Sequence, residues 1–300
     1  MGRRRLALIT FGVLLALFMA SVEGTVVATA MPTIVSQLGG LSTYSWVFSA
    51  YLLASTATVP IYGKSSDVYG RRPVFVAAMG LFLLGSLLCG QARSMTGLIA
   101  ARTLQGVGAG GLMPLAFTII GDLFSFEQRA RMQGLFSGVW GVSAIVGPLL
   151  GGFLVDRISW HWVFYFNLAP GLLAGLLVWT TWRDPDRITP QGRARVDYAG
   201  VGLMTGGAVA LLMGLFELGT PPGWGLLALG AALLAWLLRL ERRAPDPLLP
   251  LPLLASNRLF AVACGQGVMA GAAMFGMISY IPLFVQSVIG TSATRAGATL

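Results

Sequence analysis

The chain of 300 residues is 56% hydrophobic and only 10% charged, and its mean hydropathy is +0.77. These values lie outside the range of soluble domains and indicate an integral membrane protein. The net charge of +9 comes from basic residues scattered singly among loops. It therefore reflects membrane topology rather than nucleic-acid binding.

Long apolar runs follow one another along the chain and are separated by short polar segments. A hydrocarbon core of roughly 30 Å needs about 20 residues of helix, and the runs are continuously apolar rather than alternating as in barrel strands. They predict an all-α polytopic membrane protein. The nine predicted helices cover residues 6–35, 44–63, 72–92, 97–124, 132–155, 162–182, 197–217, 223–240 and 256–289.

Two polar stretches, at residues 183–193 and 242–247, divide the predicted helices into three groups. Their Pro, Gly and charge content is typical of linkers between packed units. The predicted domains are a six-helix N-terminal bundle at 1–182, a linker with two additional helices at 183–255, and the first helix of a second bundle at 256–300.

The basic residues fall almost entirely on one side of the predicted bundle. With a cytoplasmic amino terminus, 16 Lys and Arg residues lie inside and three outside, while Arg102 lies within a helix. Positive residues concentrate in cytoplasmic loops, so the pattern predicts a multi-pass protein of the cell membrane with its amino terminus inside. The 16 inner residues are Arg3, Arg4, Arg5, Lys64, Arg71, Arg72, Arg129, Arg131, Arg183, Arg187, Arg193, Arg195, Arg239, Arg242, Arg243 and Arg258.

Glu23 lies about 17 residues into the first apolar run, which at 1.5 Å per residue is roughly 26 Å from its beginning. A carboxylate at such a depth costs at least about 2.5–3.5 kcal/mol, so it should face a cavity or a partner. Two interpretations stay open. Glu23 is either a buried structural carboxyl bonded to a neighbouring helix, or a carboxyl that holds a proton and a cationic substrate in alternation.

Arg102 opens the segment RTLQG, about five residues and so roughly 8 Å into the predicted fourth helix. The guanidinium could snorkel to the outer surface. Alternatively, it faces a central cavity and controls the proton affinity of a nearby carboxyl. Whether that carboxyl is Glu23 is left open by the sequence.

Glycines are concentrated in the predicted fourth and fifth helices. GVGAGG at residues 106–111 matches the dinucleotide pattern G-x-G-x-x-G but lacks the strand that this motif requires, so it predicts a close helix contact instead. In the fifth helix, Pro148 removes a backbone donor within a glycine-rich segment. A packed helix pair and a moving hinge both account for these glycines, which are Gly134, Gly138, Gly141, Gly147, Gly151 and Gly152.

Two segments, in the first helix and after the second, resemble signature motifs of the major facilitator superfamily. GKSSDVYGRR at residues 63–72 resembles the loop between helices two and three of that family. EGTVVATAMP at residues 23–32 resembles the first-helix motif of its fourteen-helix drug:proton antiporter branch, with Glu23 where an aspartate is usual.

Two further segments extend the resemblance in the order that the family uses. RTLQG at residues 102–106 resembles the fourth-helix arginine motif. GVWG at 138–141 with GPLLGG at 147–152 resembles the fifth-helix antiporter motif. The additional helices predicted within 197–240 also fit the fourteen-helix branch.

The resemblance implies alternating access, in which two bundles rock about a central cavity. It implies export of lipophilic or cationic drugs, as in antibiotic resistance, with a proton gradient as the energy source and no cofactor. Glu23, Arg102 and Gln105 are then the expected coupling residues. The antiporter-motif residues are Gly138, Gly141, Gly147, Pro148, Gly151 and Gly152.

The resemblance also implies a gate at the second loop, which stabilises the outward-facing state through contacts with the fourth helix and the second bundle. The expected gating residues are Gly63, Asp67, Gly70, Arg71, Arg72 and Asp122.

The resemblance also bears on the length of the protein. A fourteen-helix member would continue for five more helices, so the chain is expected to be a fragment of an exporter. Its excess of Arg over Lys indicates a bacterial source.

Two other membrane functions are considered beside drug export. A lipid or glycolipid flippase would share every motif, whereas a non-transporting scaffold would not need Glu23 or Arg102 in the membrane. An enzyme is disfavoured because no nucleophile–base set, metal-ligand cluster or phosphate loop is found. The expected partners are a lipophilic small molecule, protons and the lipid bilayer, not nucleic acid, and the oligomeric state is left open.

Overall fold

The computed structural model describes residues 2–182, 198–241, 256–270 and 273. By its packing the chain divides into two compact units, residues 1–240 and 241–300, and each is described by itself. The predicted linkers at 183–193 and 242–247 lie outside the described residues, as does most of the predicted helix 256–289 beyond residue 270.

The described part of the chain is helical and contains no strand. A short 3-10 helix, Leu41–Thr43, precedes the second long helix, and the second unit contains a helix at Arg258–Ala270. The other helices are α1 (Arg3–Leu38), α2 (Trp46–Tyr69), α3 (Arg71–Gly90), α4 (Met95–Leu123), α5 (Phe126–Arg157), α6 (Trp162–Tyr165), α7 (Leu168–Thr181), α8 (Tyr198–Phe216) and α9 (Pro221–Glu241).

Six of the described spans are long and apolar enough to cross a membrane. These spans are α1, α3, α4, α5, α6 with α7, and α9. α2 is not among them because Ser, Thr and Tyr residues lower its hydropathy, and the apolar part of α8 covers only Ala199–Leu215. The prediction of an all-α polytopic membrane protein is confirmed.

The predicted helices differ most from the structure at three places. The predicted loop between the second and third helices is a single residue, Gly70, because its φ of +103° permits a turn that other residues rarely make. α5 begins at Phe126 rather than at 132, since a capping box at Ser125 starts it earlier. The sixth span is interrupted, and Asn167 lies between α6 and α7.

Glycines of α4 allow its neighbours to approach closely. Gly106 packs on the backbone of Tyr51 in α2, and Gly108 packs on the backbone of Phe82 in α3. A Cβ atom at either glycine would collide with that backbone. The prediction that GVGAGG forms helix contacts is therefore confirmed, and these contacts fix the rotation of α4 about its axis.

Two apolar clusters fill the bundle, one above the other. The first lies toward the side that carries Arg3, Arg71 and Arg129, which we call the basic side, and it takes residues 9–19 of α1. The second lies toward the opposite side and takes most of its α1 residues from 22–34. The clusters meet close to Glu23, where a group of polar side chains interrupts the apolar core.

Candidate functional site

The centre of this site is an ion pair between Glu23 of α1 and Arg102 of α4. Nη1 of Arg102 lies 2.5 Å from Oε1 of Glu23, and the side chains are 1% exposed. The sequence left open whether these residues meet and whether Arg102 snorkels to the surface. The structure places the guanidinium in the interior and against the carboxylate.

Arg102 is held by three helices. Its Nε donates to the carbonyl oxygen of Val47 at 3.2 Å, and its Nη1 also donates to Oε1 of Gln105 at 2.6 Å. The guanidinium carbon lies 4.1 Å from the ring centroid of Tyr51, which gives a cation–π contact. The guanidinium therefore has partners on α2 and α4 that do not depend on α1.

Gln105 connects the ion pair to α3. Its Nε2 donates to Oε1 of Glu23 at 2.9 Å and to Oγ of Ser86 at 2.7 Å. Its Oε1 accepts from Arg102 and from the Cys89 thiol, whose sulfur lies 3.6 Å away. Gln105 is fully buried, so all three residues predicted to couple substrate and protons lie together in one network.

Two members of the network were missed by sequence reasoning. Nδ2 of Asn167, between α6 and α7, donates to Oε2 of Glu23 at 2.6 Å and to Oγ of Ser86 at 3.3 Å. Asn167 and Ser86 are buried. An asparagine inside the apolar run 162–182 is an available signal, but without a charge it costs less to bury than Glu23 or Arg102. Nothing in the sequence distinguished Ser86.

The hydrogen bonds to Glu23 all come from donors. Oε1 of Glu23 accepts two donors and Oε2 accepts one, and all three are N–H groups. This arrangement suits an ionised carboxylate, because a protonated carboxyl would need an acceptor for its own proton. Among the described residues, no group of three His, Cys, Asp or Glu side chains is placed to hold a metal ion.

A second site lies on the basic side, around the turn at Gly70. Arg71 forms an ion pair with Asp122 at the end of α4 and donates to the carbonyl oxygen of Thr118 at 3.4 Å. Asp67 is exposed at the end of α2. The structure therefore joins α3 to α4 through two of the expected gating residues.

The other expected gating residues surround this turn. The guanidinium carbon of Arg72 lies 4.0 Å from the ring centroid of Trp179 in α7. A Cβ atom added at Gly63 would meet open space among the described residues, so no packing requirement is found there.

Exchanging the charges of Arg71 and Asp122 is expected to preserve folding. Arg71 begins α3 and Asp122 is near the end of α4, so each charge opposes the local helix dipole, and the swapped pair should gain about 0.3–1 kcal/mol per end. Thermal unfolding of R71D/D122R in detergent should match or exceed the unmodified protein. The single variants R71D and D122R should fall below it, and a double variant less stable than both would contradict this.

The α1–α5 interface contains a repeating contact that we call the hydroxyl–glycine seam. It pairs Ser21, Thr25 and Thr29 of α1 with Ser143, Gly147 and Gly151 of α5. Each position on α5 is 122 residues after its partner, so the two helices run parallel in a fixed register.

The seam assigns a role to two antiporter-motif glycines. Thr25 and Thr29 donate their hydroxyls to the carbonyl oxygens of Val22 and Val26 in their own helix, at 2.8 and 2.7 Å. Their oxygens face the backbone of α5, where any Cβ atom on its glycines would collide with them.

The other glycines of the motif lie away from the seam. A Cβ atom at Gly138, Gly141 or Gly152 would have no neighbour within 4 Å among the described residues. Pro148 lies inside α5 beside the seam. Close packing thus explains the two seam glycines, but not the rest.

Comparison with known proteins agrees with this architecture. The family model described as Major Facilitator Superfamily matches residues 13–300. The chain is 40% identical over 303 residues to the Multidrug transporter protein MdtP of Bacillus subtilis (strain 168), covering 99% of this chain and 55% of that protein. It is 39% identical over 298 residues to Multidrug resistance protein 3 of the same organism, covering 97% and 57%. The chain thus spans about half the length of the curated relatives it matches.

A solved structure shares the fold at low sequence identity. The crystal structure of a proton dependent oligopeptide (POT) family transporter aligns with a TM-score of 0.54 and 16% identity, covering 93% of this chain and 62% of that one. The family match covers almost the entire sequence, and the helical bundle is one that solved transporters share. The chain is therefore a multi-pass membrane protein that belongs to the Major Facilitator Superfamily.

Proposed function

We propose that this chain supplies the first bundle of a proton-coupled antiporter that exports lipophilic or cationic drugs by alternating access. The observation that carries the proposal is the buried ion pair between Glu23 and Arg102, inside the membrane-spanning part of the bundle. Two relatives named for multidrug transport or resistance support the class of substrate. The concentration of Lys and Arg on one side supports a cytoplasmic amino terminus in the cell membrane.

Glu23 is the group that a proton and a cationic substrate would occupy in turn. A proton on this carboxyl removes its charge and so removes the Coulombic attraction to Arg102. Arg102 keeps its contacts with Val47, Tyr51 and Gln105, and so remains attached to α2 and α4. The contact between α1 and α4 is therefore weaker, and the two helices can change their packing around the centre of the bundle.

A proton and a cationic substrate compete for Glu23, and this competition exchanges one for the other. A lipophilic cation next to the carboxylate replaces Arg102 as its counter-ion, and a proton expels that cation. Each proton that enters down a potential of 100 mV supplies about 2.3 kcal/mol for this step. The ion pair of Arg71 and Asp122 on the basic side stabilises the outward-facing state.

Transport by the complete gene product in proteoliposomes tests the proposal. A panel of lipophilic cations is offered with and without a pH gradient, to the unmodified protein and to Glu23→Gln. We expect gradient-driven uptake of at least one cation, and we expect Glu23→Gln to reduce that uptake to the level seen without a gradient. Gln keeps the shape of the side chain but cannot exchange a proton.

A matched control is Glu217→Gln, which changes an exposed carboxyl in the turn between α8 and α9. This variant should keep full coupling. Cation uptake that does not depend on the pH gradient, or full coupling in Glu23→Gln, would contradict the proton-coupling role of Glu23. Failure to transport any cation, with transport of a fluorescent lipid analogue instead, would contradict drug export.

A further inference from the structure

Asn167 occupies an unusual place, at the interruption between α6 and α7. An asparagine that precedes a helix ordinarily uses its side chain to cap the first turn, which contributes about 1 kcal/mol. Asn167 makes no such cap. Its side chain points away from its own helix and donates to Glu23, 144 residues earlier in the chain.

We propose that Asn167 senses the protonation state of Glu23 by turning its side-chain amide. The proposal rests on the proposed function, because it extends the role given there to Glu23. Oε1 of Glu23 already accepts from Arg102 and Gln105, so an added proton goes to Oε2. There it would meet the N–H of Asn167, and two donors would face each other.

A turn of the amide removes this conflict. An asparagine side chain carries a donor and an acceptor on one planar group. Turning it by half a rotation places Oδ1 where Nδ2 was, so that Oδ1 accepts the new O–H of Glu23. The proton stays on Oε2 and no covalent bond changes, while the hydrogen bond from Nδ2 to Ser86 must be replaced.

Ser86 completes both arrangements. Its Oγ lies 3.3 Å from Nδ2 of Asn167 and 2.7 Å from Nε2 of Gln105, and it accepts from both. After the amide turns, the Ser86 hydroxyl donates to Oδ1 while it still accepts from Gln105. A hydroxyl is suited to this exchange because it donates and accepts from one rotating group.

The charged and titratable groups around this site are few. Among the described residues, α4 contributes Arg102, α2 contributes Tyr51 beneath the guanidinium, and α3 contributes Cys89 next to Gln105. α1 contributes only Glu23 itself, and Asn167 represents the interrupted sixth span. Because Asn167 belongs to the sixth span, its turn couples the proton state of Glu23 in α1 to a side chain of that span.

Side-chain spectroscopy tests this inference without any transport assay. In the complete gene product, the labelled amide signals of Asn167 and of the exposed Asn257 are identified as those lost in Asn167→Leu and in Asn257→Ser. Glu23→Gln identifies the carboxyl band of Glu23. We expect the amide signal of Asn167 to change in the same pH transition as that band, while the signal of Asn257 stays constant.

Asn167→Leu removes the amide and is expected to change the pH midpoint of the Glu23 carboxyl band. The reason is that a hydrogen bond to a charged acceptor differs in strength from one to a neutral partner, so the amide acts unequally on the two protonation states. Tyr165→Phe is the matched control, because it removes a hydrogen bond of 2.8 Å to the carbonyl oxygen of Gly90 close to the same interruption. That variant should leave the midpoint unchanged.

An amide signal of Asn167 that is constant through the carboxyl transition would overturn the proposal, and the unmodified protein alone decides this point. A midpoint unchanged in a folded Asn167→Leu variant would also overturn it. If Glu23→Gln keeps proton coupling, the antiporter proposal fails, but the spectroscopic titration still decides whether Asn167 follows Glu23.

Discussion

Replacing Arg102 by methionine is expected to cost the bundle about 3–5 kcal/mol of folding stability, because it leaves the Glu23 carboxylate buried without its counter-ion. Methionine fills much of the same space, so the loss reports charge rather than volume. The amides of Gln105 and Asn167 still donate to the carboxylate but carry no charge to balance it. Unfolding of the purified protein in mixed detergent measures the loss.

The pH dependence separates this effect from a packing defect. In Arg102→Met the isolated carboxyl can become neutral by taking up a proton, so the loss should shrink at acidic pH and grow at alkaline pH. Glu23→Gln has no carboxyl to take up a proton and its guanidinium cannot lose one, so the stability of that variant should not depend on pH through this pair. A pH-independent loss in Arg102→Met would contradict the argument.

The double variant E23Q/R102M provides a further check on the same pair. It contains no buried charge, and replacement of a whole buried ion pair by neutral groups is often close to neutral for stability. We therefore expect the double variant to be more stable than either single variant. Strictly additive losses would show that the two residues act independently.

Replacing Gly147 by alanine is expected to destabilise the protein by about 1–3 kcal/mol, because the new methyl group overpacks the hydroxyl–glycine seam. The methyl would collide with Oγ1 of Thr25 and lie 2.9 Å from its Cβ, whereas the backbone of Val22 is 3.7 Å away. Thr25 cannot simply rotate, since its hydroxyl is bonded to the carbonyl oxygen of Val22. Removing the hydroxyl with Thr25→Ala should therefore restore part of the loss.

Gly151 serves as the contrasting case in the same seam. An alanine there would also lie 3.0 Å from the carbonyl oxygen of Val26 and 3.2 Å from its Cα, and these backbone atoms cannot be removed. Thr29→Ala should therefore restore less of the loss in Gly151→Ala than Thr25→Ala restores in Gly147→Ala. Gly138→Ala should be neutral or stabilising by about 0.5–1 kcal/mol, because a free helical glycine gains from a methyl group.

Thermal unfolding and expression of these five variants decide between the seam and a simple helix effect. Equal losses at Gly138 and Gly147 would indicate that helix flexibility, rather than contact with α1, is what the glycines provide. A complete rescue of Gly151→Ala by Thr29→Ala would contradict the assigned backbone contact.

Much of the bundle could be predicted because the signals are local. Hydropathy over about 20 residues marks each span, and the charges of Arg3 and Arg71 lie beside the helices whose orientation they predict. Glu23 and Arg102 were found in the same way, since each is a costly charge inside an apolar run. The predicted course of a helix was wrong where a single residue ends or interrupts it, as at Gly70 and at Asn167.

The residue pattern predicts a helical membrane protein and shows that Glu23 and Arg102 need partners, while the family resemblance adds Gln105. Whether these residues meet depends on helix packing, because the pairing of Glu23 and Arg102 across 79 residues requires particular rotations of α1 and α4 about their axes. Backbone contacts at Gly106, Gly108 and the seam glycines set those rotations. Asn167 and Ser86 joined the site for the same reason, since an uncharged polar residue gives no local sign of the carboxylate it will meet.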